Sequence, residues 1–85
     1  MDLQEIILGI PGDYSEVSFA GKRYSLTRQD FNQGRSLKVF ARELGGTDFI
    51  SFNYYLTEGG ALLKPCEMSE AKVRQFLRQM QWLGS

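Results

Sequence analysis

The stretch from Leu37 to Tyr55 constrains the fold more than any other, because two alternating segments flank the glycine pair Gly45-Gly46. Two glycines suit the central positions of a type I′ turn, which needs positive φ at both residues and would pair Leu44 with Thr47. With that turn, counting outward places six apolar residues on one side of the pleat. They are Leu37, Val39 and Ala41 from the first segment and Ile50, Phe52 and Tyr54 from the second. The sequence therefore predicts a long hairpin with one face for the core.

The other side of this hairpin, which we call the outer face, combines cations, aromatic rings and an amide. Its members are Lys38, Phe40, Arg42, Phe49, Ser51 and Asn53, with Tyr55 following at the same parity. A slip of one residue would mix the two faces, so the register is strongly specified. We select Lys38, Phe40, Arg42, Phe49 and Asn53 as a candidate interaction surface, because aromatic and arginine side chains supply much of the binding energy at interfaces.

A second hairpin is predicted around Gly21-Lys22, where glycine at the first central position suits a type II′ turn. This turn pairs Phe19 with Tyr24 and Val17 with Leu26. From residue 27 to residue 36 the alternation stops, and the polar composition predicts the longest irregular segment of the chain. Residues 61–64 predict a fifth strand, which Pro65 ends or marks as an edge because proline donates no ladder hydrogen bond.

The N-terminal segment has two interpretations. Apolar residues recur at helical spacing between residues 3 and 10, and Asp2 followed by Glu5 favours a short capped helix. An edge strand is the alternative, since residues 5–8 also form a brief β-prone run that periodicity does not separate from a helix.

The C-terminal segment predicts an amphipathic helix. Ser69 suits its N-cap, and the helical pattern runs from Glu70 to about Gln81. One side of this helix is apolar and is expected to pack on the sheet. That side carries Val73, Phe76, Leu77 and Met80. Trp82, just beyond the helix, is expected to close the core.

The order of these elements predicts an α+β fold. We expect an antiparallel meander of about five strands, with the C-terminal amphipathic helix packed on one face and a short N-terminal helix or strand. A chain of 85 residues suits a single domain over residues 1–85, which buries roughly 60 to 65% of its unfolded surface.

Composition argues against several kinds of chemistry. The chain contains no histidine and one cysteine, so it lacks a Ser-His-Asp set, a Cys-His pair, and both imidazole and Cys-rich zinc sites. The glycines lack the spacing of nucleotide-binding loops. We therefore expect no enzyme, no catalytic residues, no cofactor and no metal site.

The single Cys66 cannot form an intrachain disulfide, which makes a reducing cytoplasm the expected location. A packing role for this thiol is favoured, and a reactive thiolate near Lys64 and the helix start is the alternative. The acidic N-terminus does not resemble a secretory signal. No apolar run reaches the roughly 18 residues of a membrane span, so no membrane association is expected.

Three interpretations of the outer face follow. In the first, the rings are covered by the N-terminal segment, by residues 27–36 or by a second copy of the chain. In the second, the rings bind a protein. In the third, the rings stack on unpaired bases while the cations bind phosphates. Ten basic and ten acidic residues cancel, which makes nucleic acid the runner-up. We expect a small soluble non-enzymatic interaction module, protein-binding or self-associating through the outer face of the 37–55 hairpin, with single-stranded nucleic-acid binding as the alternative.

Overall fold

The predicted hairpin forms two adjacent inner strands of the sheet in the computed structural model, which describes residues 2–83. Strand β3 (Ser36–Glu43) pairs with β4 (Phe49–Thr57) in the predicted register. Ala41 lies opposite Ile50, and Val39 lies opposite Phe52. Both pairs are fully buried, so the prediction of the apolar face is confirmed.

The turn of this hairpin differs from the predicted type I′ turn. Gly45 has a φ of 81°, but Gly46 is not among the residues with positive φ. The backbone N–H of Glu43 donates to the carbonyl of Asp48 at 2.9 Å, so residues 44–47 form a four-residue connection. Gly46 instead lies close to a side chain, because a Cβ there would meet the carboxylate of Glu43, so a larger residue would require that carboxylate to move.

The sheet contains six antiparallel strands in the order β5-β4-β3-β2-β1-β6. The remaining strands are β1 (Ser15–Phe19), β2 (Lys22–Phe31), β5 (Gly60–Pro65) and β6 (Gln81–Trp82), and the helices are α1 (Leu3–Leu8) and α2 (Glu70–Gln79). The predicted α+β architecture is confirmed. The sixth strand arises because the chain returns after α2 and pairs two residues with β1.

The first hairpin has a different register from the predicted one. Phe19 pairs with Lys22 and Val17 with Tyr24, two positions away from the expected partners. The central residues of the turn are Ala20 and Gly21, with φ of 54° and 77°, and positive φ at both positions is the type I′ requirement. A shift of two residues preserves which side chains face the core, because the strand period is two.

The prediction of a long irregular segment over residues 27–36 is wrong. Strand β2 continues to Phe31 and pairs with β3 along its length, and only a short 3₁₀ turn, Asn32–Gly34, separates the two strands. The polar residues have a weak β preference, but the backbone hydrogen bonds to β3 outweigh it and keep this segment in the sheet.

Both helices pack on the inner face of the sheet, and both have the predicted caps. Asp2 accepts a hydrogen bond from the Glu5 amide at 2.8 Å, and Ser69 accepts one from the Lys72 amide at 3.2 Å. The helical interpretation of the N-terminal segment is therefore confirmed. The core combines inner-face strand residues with Ile7, Ile10, Val73, Phe76 and Leu77.

Arg28 is a polar side chain that links the N-terminal helix to the sheet. The Arg28 guanidinium donates to the carbonyl oxygens of Leu8 at 3.1 Å and Ile10 at 2.9 Å, which ties the end of α1 to β2. Trp82 does not close the core as expected, because it lies in the edge strand β6 and half of its surface is exposed.

The carboxylate of Asp48 connects the hairpin turn to the rest of the fold. It accepts hydrogen bonds from Lys72 Nζ on α2 and from the Tyr24 hydroxyl on β2, each at 2.7 Å. Both hydrogen bonds hold the pKa of Asp48 below its ordinary value, and the bond from Lys72 has the larger effect. A lowered pKa means that the folded state favours the carboxylate. Its stabilising effect is therefore present above the unfolded pKa and is lost as pH falls through the folded pKa.

We predict that Asp48→Asn lowers the free energy of unfolding at pH 7 by about 1 kcal/mol, since it removes a charge-assisted bond at a partly exposed site. It should also reduce the loss of stability between pH 7 and pH 3. Urea unfolding at both pH values measures this, with Asp13→Asn in the exposed loop before β1 as the matched control. Equal effects of the two substitutions would contradict the role given to Asp48.

Candidate interaction surface

All five predicted surface residues lie on the outer face, the side of the sheet away from α1 and α2. They come from two adjacent strands: Lys38, Phe40 and Arg42 from β3, and Phe49 and Asn53 from β4. The strand period of two places them on one side, because their neighbours at the other parity form the core. The structure thus brings the predicted set together.

Phe40 and Phe49, the ring pair, form the centre of this surface. Their centroids are 6.2 Å apart and their planes are inclined by 26°, an offset arrangement that aromatic pairs prefer. Phe40 is 39% exposed, and Ser51, the strand partner of Phe40, is buried. Phe49 is half-buried, so the ring pair is partly covered and still presents apolar surface to solvent.

The segments that were candidates to cover the ring pair lie elsewhere. The N-terminal segment forms α1 and packs in the core through Ile7 and Ile10. Thr27 lies beside Phe40 in β2, and the turn Asn32–Gly34 lies at the opposite end of β3, next to Ser36. The hydroxyls of Ser25 and Thr27 donate hydrogen bonds to backbone carbonyls of β3 at 3.4 and 3.3 Å. These short side chains of β2 therefore leave the Phe40 ring uncovered.

Two lysines and two amides form a line across four strands, which we call the lysine row. It runs Lys64, Asn53, Lys38, Gln29 from β5 to β2. Lys38 and Lys64 are exposed. The Asn53 amide donates to the Cys66 sulfur at 3.5 Å, so this side chain is partly held by a neighbour.

A second line of outer-face residues carries apolar side chains, of which the sequence placed only Tyr55 on this face. It runs Leu62, Tyr55, Ser36, Phe31 from β5 to β2. Leu62, Tyr55 and Phe31 are exposed. The parity of Tyr55 was visible in the sequence. The other two residues required knowledge that β2 reaches Phe31 and that β5 pairs Leu62 with Tyr55.

The outer face is cationic although the whole chain is neutral. Among residues 2–83, Lys38, Arg42 and Lys64 form no ion pair. Within the described strands, Glu16 is the one acidic residue whose parity places it on this face. It pairs with Arg23, and it accepts a hydrogen bond from the Tyr14 hydroxyl at 2.8 Å. This bond, together with Arg23, lowers the pKa of Glu16.

Cys66 lies at the border of the same surface. Its amide donates to the carbonyl of Ser51 at 2.9 Å, which extends the β4–β5 ladder by one residue and gives the thiol the parity of the outer face. The side chain is half-buried. The thiol is therefore beside the candidate surface and outside the hydrophobic core.

Other features of the described part of the chain provide less chemistry. A groove between the two helices is lined by Ile6, Leu77, Met80 and Trp82, with Glu5 and Arg78 among its polar residues. Residues 2–83 contain no group of three or more acidic, cysteine or histidine side chains arranged to hold a metal ion. Neither of the two helices found there has the length and apolar character to cross a membrane.

Comparison with known proteins places this chain in no family. No family model and no curated protein matches the sequence, and no solved structure matches the fold. The functional argument therefore rests on the geometry of the chain itself.

The outer face predicts a contrast in stability between two phenylalanines of the same sheet. Phe40→Ala should lower the free energy of unfolding by about 1 kcal/mol, because its ring is partly solvated and loses mainly the stacking contact. Phe52→Ala, at a fully buried position, should cost about 3 to 5 kcal/mol. Urea unfolding monitored by circular dichroism measures both. Equal losses would show that Phe40 is covered in the folded chain.

Proposed function

We propose that the protein is a non-enzymatic interaction module that binds a macromolecular partner through the outer face of the 37–55 hairpin. The observation that carries this proposal is the partly exposed ring pair beside cations that have no acidic partner among residues 2–83. Aromatic and arginine side chains supply much of the binding energy at interfaces. The groups that would bind are Phe40, Phe49, Arg42, Lys38 and Asn53.

Charge favours an anionic partner over a second copy of the chain. A twofold contact through this face uses the same patch on both copies. It would bring the Lys38 and Arg42 side chains of one copy near those of the other, and like charges facing each other oppose association. An acidic protein surface avoids this repulsion and is one candidate partner. A single cysteine outside any intrachain disulfide is consistent with a cytoplasmic setting.

Single-stranded nucleic acid is the second candidate. On composition alone, the zero net charge of the chain argues against binding of a polyanion. The structure concentrates Lys38, Arg42 and Lys64 on the same face as the ring pair, and this observation favours a polyanion that also carries planar groups.

Affinity capture from a lysate tests the proposed surface. Immobilised wild-type protein should retain at least about five times as much material as the Phe40→Asp variant. Leu8→Asp is the matched control, since Leu8 is a similarly exposed apolar residue on α1. Nuclease treatment of half of each sample separates nucleic acid from protein. Identical recovery with all three proteins, each with a native circular dichroism spectrum, would reject the outer face as the binding surface.

Sedimentation equilibrium tests the choice between an anionic partner and a second copy. We expect the wild type and Phe40→Asp to be monomers at micromolar concentration, because the unpaired cations oppose a twofold contact through this face. A wild-type dimer that Phe40→Asp dissociates would instead identify a second copy as the partner.

A further inference from the structure

We infer that the partner is single-stranded nucleic acid, bound across the strands along the lysine row. This inference rests on the proposed function and names the class of partner for the same surface. It combines three observations: the spacing of the cations, the position of the rings on both sides of them, and the open shape of the sheet.

The lysine row offers cationic contacts in a line. Lys64 and Lys38 belong to β5 and β3, which are both neighbours of β4, so their backbones are about 10 Å apart. Both flexible ammonium groups can follow a phosphate backbone that runs perpendicular to the strands. Asn53 between them and Gln29 at the end of the row carry amides that donate and accept hydrogen bonds.

Aromatic side chains flank the lysine row on both sides. Phe40 lies two residues beyond Lys38 on β3, and Tyr55 lies two residues beyond Asn53 on β4 in the opposite direction. Each is therefore about 7 Å along its strand from the row. The exposed surfaces of these rings are within the reach of bases attached to a backbone on the row. Stacking on aromatic side chains tolerates any base sequence.

The shape of the surface favours a single strand over a duplex. Reading a duplex needs an element that enters a groove, such as a helix or a β-ribbon. Within residues 2–83 both helices lie on the inner face, so the outer face offers strands alone. Unpaired bases, in contrast, present planes to an open sheet, as in other sheet platforms that stack bases.

An acidic protein is the competing occupant, and it accounts for less of the pattern. Carboxylate side chains would satisfy Lys38, Arg42 and Lys64, but the contacts for the rings on both sides of the lysine row would have to come from other side chains of the partner. A nucleic-acid strand supplies a charge and a plane in every nucleotide. On the outer face, the cations of the lysine row and the rings on both sides of it offer contacts for both groups.

Fluorescence anisotropy with labelled DNA and RNA strands of about 12 nucleotides, within the known range of site sizes, tests the inference. The full chain should bind single strands at low salt and prefer them to a duplex of the same sequence. With the two lysines of the row on phosphates, the slope of log K against log salt concentration should be about −1.4, because each contact contributes roughly −0.7 on single strands.

Three substitutions test where on the protein the single strand binds. Lys38→Gln should reduce the steepness of the salt slope by about 0.7. Phe40→Leu should weaken binding at least about fivefold and leave the slope unchanged, since stacking involves no counterion release. The matched control is Arg78→Gln, which removes one exposed cation from α2. It should change the affinity by less than about twofold.

The outcomes separate this inference from the proposed function. Absence of salt-sensitive binding, equal binding of duplex, or equal effects of Lys38→Gln and Arg78→Gln would overturn the nucleic-acid inference. A peptide of alternating glutamate and phenylalanine serves as the protein-like ligand. If it binds with dependence on Phe40 where oligonucleotides fail, the proposed function stands with a protein partner. If oligonucleotides, peptide and lysate all show no dependence on Phe40, both proposals fail.

Discussion

The pairing of β3 with β4 in a single register is the constraint on which the rest of the structure depends. Because side chains alternate with a period of two, this register sends Val39 and Phe52 into the core and the ring pair to the opposite side. Helices α1 and α2 follow the apolar surface and pack on the inner face. The outer face thus becomes a cationic and aromatic surface by the same pairing that builds the core.

Neutral composition conceals an uneven distribution of charge. Several acids are engaged with cations outside the outer face: Asp48 with Lys72, Glu70 with Arg74, and Asp30 with Arg28. Glu16, on the outer face, pairs with Arg23. The remaining outer-face cations have no such partner within the described strands and helices. A net charge of zero is therefore compatible with a local polyanion site, because association depends on the field near the surface and on its shape more than on the total charge.

The sequence predicted what parity and capping determine. The register of the 37–55 hairpin, the C-terminal helix, the caps and the grouping of Lys38, Phe40, Arg42, Phe49 and Asn53 on one face follow from such local patterns. For the N-terminal segment they favoured a helix but left a strand open. Features that depend on tertiary contacts were not predicted from the sequence. Gly46 lies close to the Glu43 carboxylate and has no positive φ. Strand β2 is extended by its ladder with β3, and β6 has only two residues. Phe31 and Leu62 were missed for the same reason, since their places depend on strand ends and on pairing.

The central claim is that the ring pair is open to solvent in a single folded chain. The most direct test measures the relaxation of aromatic protons by a dissolved paramagnetic agent in the monomeric protein. The ring protons of Phe40 should relax strongly, those of Phe49 to an intermediate extent, and those of the buried Phe52 weakly. If the Phe40 and Phe49 rings are protected as well as the Phe52 ring, the outer face is covered and this account is wrong.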